Sequence, residues 1–384
     1  MVRVDVRSEM LRWARDRAGL MPSDLRDRFP KLDAWESGAA KPTLKQLETY
    51  ARVTRTPIGY LFLEAPPEER LPIPDFRTMA GSPVRRPSPD LLEMIDACQA
   101  RQDWFREFAG GVGEPELGFI GSMTTNDSVE AAAERVRREL QFDLGARARC
   151  RSWEDALRLF VGHADHAGIL VMVSGVVMNN GHRKLNPEEF RGFALADKLA
   201  PLVFINGSDS KSAQMFTLAH ELAHLWLGQS ALSDASAISA GQNAVETWCN
   251  RVAAETLAPL ALVREDILRR EEPLEQTVGR LMRRFKVSSL VVLQRLRDAG
   301  RLTAEAFRTA YLDEQQRLAR LARSASSGGD FYATTRVRFG NRFARALVGS
   351  TLEGRTQYRE AYRLLGISKP ETFLALGREL HFTS

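Results

Sequence analysis

Two histidines, His220 and His224, stand four residues apart in the stretch MFTLAHELAHLWLG, and Glu221 follows the first of them. On a helix that turns about 100° per residue, both imidazoles project from nearly the same face, one turn apart. That arrangement suits two ligands of one tetrahedral Zn²⁺ ion, with the glutamate beside them as general base for an attacking water. The spacing predicts a hydrolytic zinc site rather than a core helix that carries two structural histidines.

A third protein ligand is offered by the stretch QNAVETWCNRVAAETLAP, which begins at residue 242. Glu246 and Asn250 share one face of a predicted helix, so Glu246 can bind the metal while Asn250 holds a ligating histidine. Glu255, further along the same helix, is the alternative third ligand. Cys249 can be considered as a thiolate ligand, but a small buried packing residue is the preferred interpretation because cysteine is often buried.

These residues need helices and strands to position them, and the hydrophobic patterns predict both. Helices are predicted at about 90–110, 128–141, 153–167, 211–227 and 242–257, and buried strands at 168–175 and 202–206. The predicted fold class is therefore mainly α with a small β-sheet, that is, α+β.

The chain also divides into predicted domains. Short helical patterns with prolines at their starts indicate a helix-turn-helix bundle at 1–64, and a proline-rich linker, expected to be extended, covers 65–89. The domain that carries the predicted zinc site is placed at 90–323, with helical extensions. A flexible linker, SASSGGD, precedes a basic helical domain at 331–384.

The C-terminal domain has nine Lys or Arg residues against four Asp or Glu. Its first residues interleave four aromatic side chains with four arginines: Phe331, Tyr332, Phe339, Phe343, Arg336, Arg338, Arg342 and Arg345. Such a pattern can bind single-stranded nucleic acid. The preferred interpretation is a small helical domain with its aromatic residues inside and its arginines solvated.

Composition restricts the class of protein further. The chain has 384 residues, three cysteines without paired spacing and a net charge of +5. This favours a reducing compartment over a disulfide framework, and the absence of a long apolar run or signal-like start predicts a cytoplasmic protein with no membrane partner.

The segment RGFALADKLAPLVFINGSDSKSAQMFTLAHELAHLWLG, with ETWCNRVAAETLAP after it, resembles the ImmA/IrrE-type metallo-endopeptidases (the DUF955 family). The resemblance implies that His220, His224 and Glu246 bind Zn²⁺ and that Glu221 is the catalytic base. Asn250 stands where gluzincin-type sites usually have Asp or Asn. The resemblance also implies a protein substrate, either a transcriptional repressor or a toxin–antitoxin partner.

The N-terminal unit resembles an Xre/Cro-type helix-turn-helix with a shortened recognition helix. Only 12 residues separate Ser23 from Trp35, and the missing length falls on the helix that should enter the major groove. Arg26, Arg28 and Lys31 can contact DNA phosphates or a protein partner, and phosphate contacts alone do not specify sequence. A protein-binding or dimerising role, including a homodimer, is the alternative to DNA binding.

Peptide hydrolysis also needs a donor for the developing oxyanion. All six tyrosines lie outside residues 63–310, which leaves His182, Arg183 and Arg191 as candidates by elimination. The alternative for the whole chain is a helix-turn-helix regulator or antitoxin-type binding protein in which the metal fold is only a scaffold.

Overall fold

The computed structural model describes residues 3–76, 86–233, 243–324 and 338–382. The chain forms two compact units: an N-terminal unit of residues 1–72 and 83–96, and a larger unit of residues 73–82 and 97–384. Residues 325–330 of the predicted SASSGGD linker, and Phe331, Tyr332 and Arg336 of the aromatic–arginine pattern, lie outside the described residues. The predicted domain boundaries stay predictions.

The N-terminal unit is built from short helices around one apolar core. Its helices are α1 (Ser8–Arg17), α2 (Pro22–Arg26), α3 (Leu32–Glu36) and α4 (Leu44–Val53), followed by a 3₁₀ turn at Ile58–Phe62. Thr43 begins α4 by accepting a hydrogen bond from the backbone N–H of Gln46. Tyr50 is fully buried and donates from its hydroxyl to the carbonyl of Leu11, which ties α4 to α1. With only five residues, α3 spans about 7.5 Å.

The remaining helices and the sheet follow in chain order. The bounds are α5 (Pro89–Val112), α6 (Val129–Glu139), α7 (Leu144–Ala148), α8 (Trp153–His166), β1 (Leu170–Ser174), β2 (Gly192–Leu195), β3 (Leu202–Asn206), α9 (Lys211–Leu227), β4 (Ala231–Ser233), α10 (Ala244–Leu257), α11 (Leu260–Leu268), α12 (Leu274–Phe285), α13 (Ser289–Asp298), α14 (Ala304–Ser324), α15 (Asn341–Leu352), α16 (Tyr358–Leu365) and α17 (Pro370–Glu379).

The sheet has the strand order β1-β3-β2-β4. β1 pairs with β3 in parallel, whereas β2 is antiparallel to both β3 and β4. Every residue of the four strands is buried, and α9 packs against β2, β3 and β4. The α+β prediction is confirmed. Among the described residues, no helix combines the length and the apolar character needed to cross a bilayer.

The C-terminal helices pack against β1, the outer strand of the sheet. Gly340, at a positive φ of 73°, lies directly on the backbone of Val171, and a Cβ at residue 340 would be 2.6 Å from the Val171 carbonyl oxygen. Phe339 and Phe343 are fully buried, as predicted. Arg338 and Arg342 are only partly exposed and contact Asn179 and Glu114, so the prediction of solvated arginines was wrong for these two. This favours a small helical domain with its aromatic residues inside over a surface for single-stranded nucleic acid.

Candidate metal centre

Helix α9 brings His220 and His224 into the core of the larger unit. The Ser210 side chain caps its first turn, and the helix ends at Gly228, whose φ of 69° is the left-handed conformation predicted for its stop. Both histidines are completely buried, because α9 packs on the sheet, on α8 and on α10. The predicted bounds, 211–227, agree with the structure.

Glu246, on α10, reaches the same point as the two imidazoles. The Nε2 atoms of His220 and His224 are 3.1 Å apart, and the Glu246 carboxylate lies 3.3 Å from the first and 3.0 Å from the second. Among the described residues, these three form the group of His, Cys, Asp and Glu side chains able to hold a metal ion. The structure therefore brings together the three residues that the sequence predicted as metal ligands.

The donor set fits a zinc ion. Ligands placed tetrahedrally around zinc at their usual bond lengths lie about 3.3 Å from one another, close to the separations found here. Two buried Nε2 atoms that face each other cannot both point an N–H at the other. A cation between two nitrogen lone pairs and a carboxylate satisfies all three groups.

The charges at the centre favour an ionised Glu246. Burial raises its pKa, but His220 and His224 outweigh burial and bring the pKa to about 2. Burial lowers the pKa of His220, and the Glu246 carboxylate overcomes this so that the pKa ends above its ordinary value. For His224, burial dominates and the pKa is lowered. The group thus supplies an anionic oxygen and, at His224, an imidazole whose neutral form is favoured; a bound cation would replace the proton that Glu246 favours on His220.

Glu221 lies beside this group without belonging to it. It is fully buried, and neither carboxylate oxygen makes a well-aligned hydrogen bond to a described residue. Burial raises its pKa to about 8, with smaller and opposed effects of His220 and Glu246. A buried carboxylate with no well-aligned hydrogen bond among the described residues is costly, which makes Glu221 a candidate for a functional rather than a structural group.

Gly192, the first residue of β2, makes room for Glu221. A Cβ on residue 192 would lie 2.6 Å from Cγ2 of Thr217, 2.8 Å from the carbonyl oxygen of Phe204 and 3.2 Å from Cγ of Glu221. The sequence analysis missed this position, although RGFAL carries a glycine directly before an apolar run.

We expect Gly192→Ala to lower the free energy of unfolding by about 1–3 kcal/mol, because the added methyl group overpacks the space between β2 and α9. Gly162→Ala is the matched control: residue 162 is inside α8 with no atom within 4 Å of a Cβ, so the change should be neutral or stabilising by about 0.5–1 kcal/mol. Urea unfolding of both variants measures the difference. Equal urea midpoints for the two variants would show that β2 shifts to accommodate the methyl group without loss of stability.

Ser233 is a second residue that the sequence analysis missed. It is fully buried at the end of β4, and its hydroxyl lies 3.2 Å from Nε2 of His224. It is also near enough to Glu221 to lower the pKa of that carboxyl. Ser233 therefore adds a hydroxyl at the centre, contributed by a three-residue strand too short to be predicted from its pattern.

The other candidates on α10 have different surroundings. Glu255 pairs with Arg295 and accepts a hydrogen bond from the backbone N–H of Leu260, so its carboxylate is engaged away from the histidines. Cys249 is fully buried, and burial raises its pKa, which disfavours a thiolate. Asn250 helps to raise the pKa of His220, although its amide makes no well-aligned hydrogen bond to a described residue.

None of the three predicted oxyanion donors belongs to the group formed by His220, His224 and Glu246. His182 is exposed on a turn, and the guanidinium of Arg191 lies 3.6 Å from the carboxylate of Asp209. The backbone N–H of Arg183 donates to the carbonyl of Asn180. A role for any of the three as transition-state donor stays a prediction.

The N-terminal unit has a cavity of about 560 Å³ at the residues proposed to contact DNA or a partner. Arg28 and Lys31 line it, whereas Arg26 makes an exposed ion pair with Asp33. Lys45, which the sequence analysis did not select, adds a third cation. The remaining lining residues are Phe29, Pro30, Trp35, Thr43, Gln46 and Thr49.

If this unit binds DNA, we expect weak binding without sequence preference, because α3 is too short to present a row of side chains to base edges. Three phosphate contacts would give a slope of about −3 in a plot of log affinity against log salt. Fluorescence anisotropy titrations of DNA duplexes at several salt concentrations measure this slope. Lys31→Ala should make it shallower, and the control Lys198→Ala should leave it unchanged. A footprint on a defined operator at physiological salt would contradict the expectation.

Comparison with known families supports the peptidase interpretation of the central region. Residues 164–297 match the family model Peptidase M78, described as the IrrE N-terminal-like domain, and residues 339–379 match a domain of unknown function, DUF8813. The first match contains His220, Glu221, His224 and Glu246. Comparison with curated proteins finds no match to the chain.

Proposed function

We propose that the chain is a zinc-dependent endopeptidase that regulates transcription by cleaving a partner protein, a repressor. The observation that carries the proposal is the convergence of His220, His224 and Glu246 beside Glu221, a fully buried glutamate whose carboxylate makes no well-aligned hydrogen bond to a described residue. The match to a peptidase family over residues 164–297 supports the same activity.

The three ligands would hold Zn²⁺, which supplies the Lewis acidity that polarises a peptide carbonyl and activates water. Glu221 takes the proton from the attacking water and passes it to the nitrogen of the departing amine. Its burial makes this carboxylate basic, since desolvation penalises its charged form. Gly192 and Ser233, which are paired across β2 and β4, both lie near this side chain and limit its positions.

A repressor or a toxin–antitoxin partner is proposed as substrate because of the resemblance to regulatory peptidases and because of the separate N-terminal unit. Its cavity, with basic residues around aromatic walls, suits an acidic protein segment as well as a nucleic acid. The same cavity favours the second candidate function, a binding protein that uses the metal fold as a scaffold.

The test is co-expression of the chain with the product of each adjacent gene, followed by mass spectrometry of the fragments. Cleavage at one bond, suppressed by a zinc chelator and restored by zinc, is the expected result. Stable complexes without fragments, at full zinc occupancy, would support the binding protein instead.

A further inference from the structure

Residues Ile73–Phe76, here called the strap, lie along the edge of β4 that faces away from β2. The backbone N–H of Phe76 donates to the carbonyl of Leu232 at 2.9 Å, and the N–H of Leu232 donates to the carbonyl of Pro74, also at 2.9 Å. Asp75 and Leu232 form a parallel bridge. The strap is therefore a short extra strand on the sheet.

The same edge lies at the metal centre. Leu232 precedes Ser233, whose hydroxyl is 3.2 Å from Nε2 of His224. The ring of Phe76 is stacked on the imidazole of His224, with the ring centroids 6.0 Å apart and the planes 21° from parallel. The strap thus combines main-chain pairing to β4 with an aromatic contact to a candidate ligand.

An extended peptide that adds to a sheet edge binds through the main-chain groups of the edge strand. The strap already uses both main-chain groups of Leu232, one as donor and one as acceptor. A second extended segment cannot form those bonds while the strap is in place. The strap and an extended substrate compete for one edge.

We propose that the strap is an autoinhibitory strand, and that an extended segment of a protein substrate pairs with β4 only after the strap has left. This proposal rests on the peptidase function proposed above. It assigns the proline-rich connection after the N-terminal unit a role in controlling access to the metal centre.

The attachment of the strap is suited to release. Two main-chain hydrogen bonds connect it to Leu232, and Pro74 faces β4 with its carbonyl but has no N–H to donate. Ile73 is buried, whereas Pro74 is exposed and Asp75 and Phe76 are only partly buried. Segments with few buried contacts open at low cost compared with the core of a domain.

Two variants of the full-length, zinc-loaded chain test the proposal. Phe76→Pro removes the N–H that bonds to Leu232 together with the ring, whereas Phe76→Ala removes only the ring. Arg70→Pro is the matched control, because it adds a proline to the same connection outside the paired residues. The readouts are hydrogen exchange of the peptide that contains Leu232, the rate of zinc transfer to the chelator 4-(2-pyridylazo)resorcinol, and cleavage of the partner.

We expect Phe76→Pro to speed exchange at Leu232 and zinc transfer at least about tenfold, with a smaller effect in Phe76→Ala and wild-type rates in Arg70→Pro. The rate of partner cleavage should rise most in Phe76→Pro, less in Phe76→Ala and not at all in Arg70→Pro. Unchanged exchange and zinc transfer in both variants at residue 76 would overturn the proposal. So would loss of stoichiometric zinc in Phe76→Ala, because the strap would then be part of the metal site.

Failure of the proposed function gives a different pattern. A chain that cleaves no partner, in wild type or in any variant, contradicts the peptidase, while exchange at Leu232 still reports whether the strap opens. Faster exchange without faster cleavage of a partner that wild type does cleave would contradict inhibition by the strap and leave the peptidase standing.

Discussion

Replacing Glu221 by glutamine is expected to lower the rate of partner cleavage about 10²–10⁴-fold while zinc content and folding stay close to wild type. The amide has the size of the carboxyl group but cannot accept a proton from water. It should fit the site, because burial penalises the charge of this side chain and the amide carries none. Quantified fragments, zinc analysis and a thermal melt give the three readouts.

The matched control is Glu188→Gln, which makes the same chemical change at an exposed position. It should cleave as fast as wild type. If the controlled promoter responds equally to wild type and Glu221→Gln, and neither protein produces fragments, the metal fold is a scaffold and the chain acts by binding. Loss of zinc in Glu221→Gln would instead make this residue a ligand.

Glu246→Ala and Glu255→Ala are expected to change different properties. The first should lower the zinc content, and the second should lower the stability of the fold. Glu246→Ala should reduce bound zinc from about one ion per chain to a small fraction, as His220→Ala should, because each removes one of three protein ligands. Glu255→Ala should keep zinc but lower the free energy of unfolding by up to about 3–5 kcal/mol, because it leaves the buried guanidinium of Arg295 with one carboxylate, that of Asp298 at 3.2 Å.

Metal analysis after dialysis and urea unfolding in the presence of a chelator separate the two effects. The chelator places all variants in the same metal-free state, so the unfolding midpoint reports only the protein contacts. Zinc retained in Glu246→Ala and lost in Glu255→Ala would reverse the assignment of the third ligand.

The sequence could predict the parts of the centre that depend on local geometry. The positions of His220 and His224 follow from helical spacing, and the bounds of α9 follow from a serine cap and a glycine stop. Glu246 follows from a second helix whose apolar face must pack in the same core. These predictions depend on residues that are close together in the sequence and not on contacts between distant parts of the chain.

The residues that the sequence analysis missed depend on strand pairing. Gly192 and Ser233 lie on strands of four and three residues, which are too short for a reliable alternating pattern. They face each other across the β2–β4 register, and the local pattern does not encode how two strands far apart in the chain pair with each other. The contact of Phe76 with His224 joins residues 148 positions apart.

Gly340 and the strap together have a consequence for self-association. A sheet with open outer strands offers unpaired main-chain groups to other copies of the same chain. Here Gly340 lies on the backbone of Val171 in one outer strand, and Phe76 and Pro74 bond to Leu232 in the other. Continuation of the sheet from one copy into the next is therefore blocked at both of these positions. We therefore expect a homodimer of the intact chain to form without sheet pairing at Val171 or Leu232, whereas release of the strap would free the main-chain groups of Leu232.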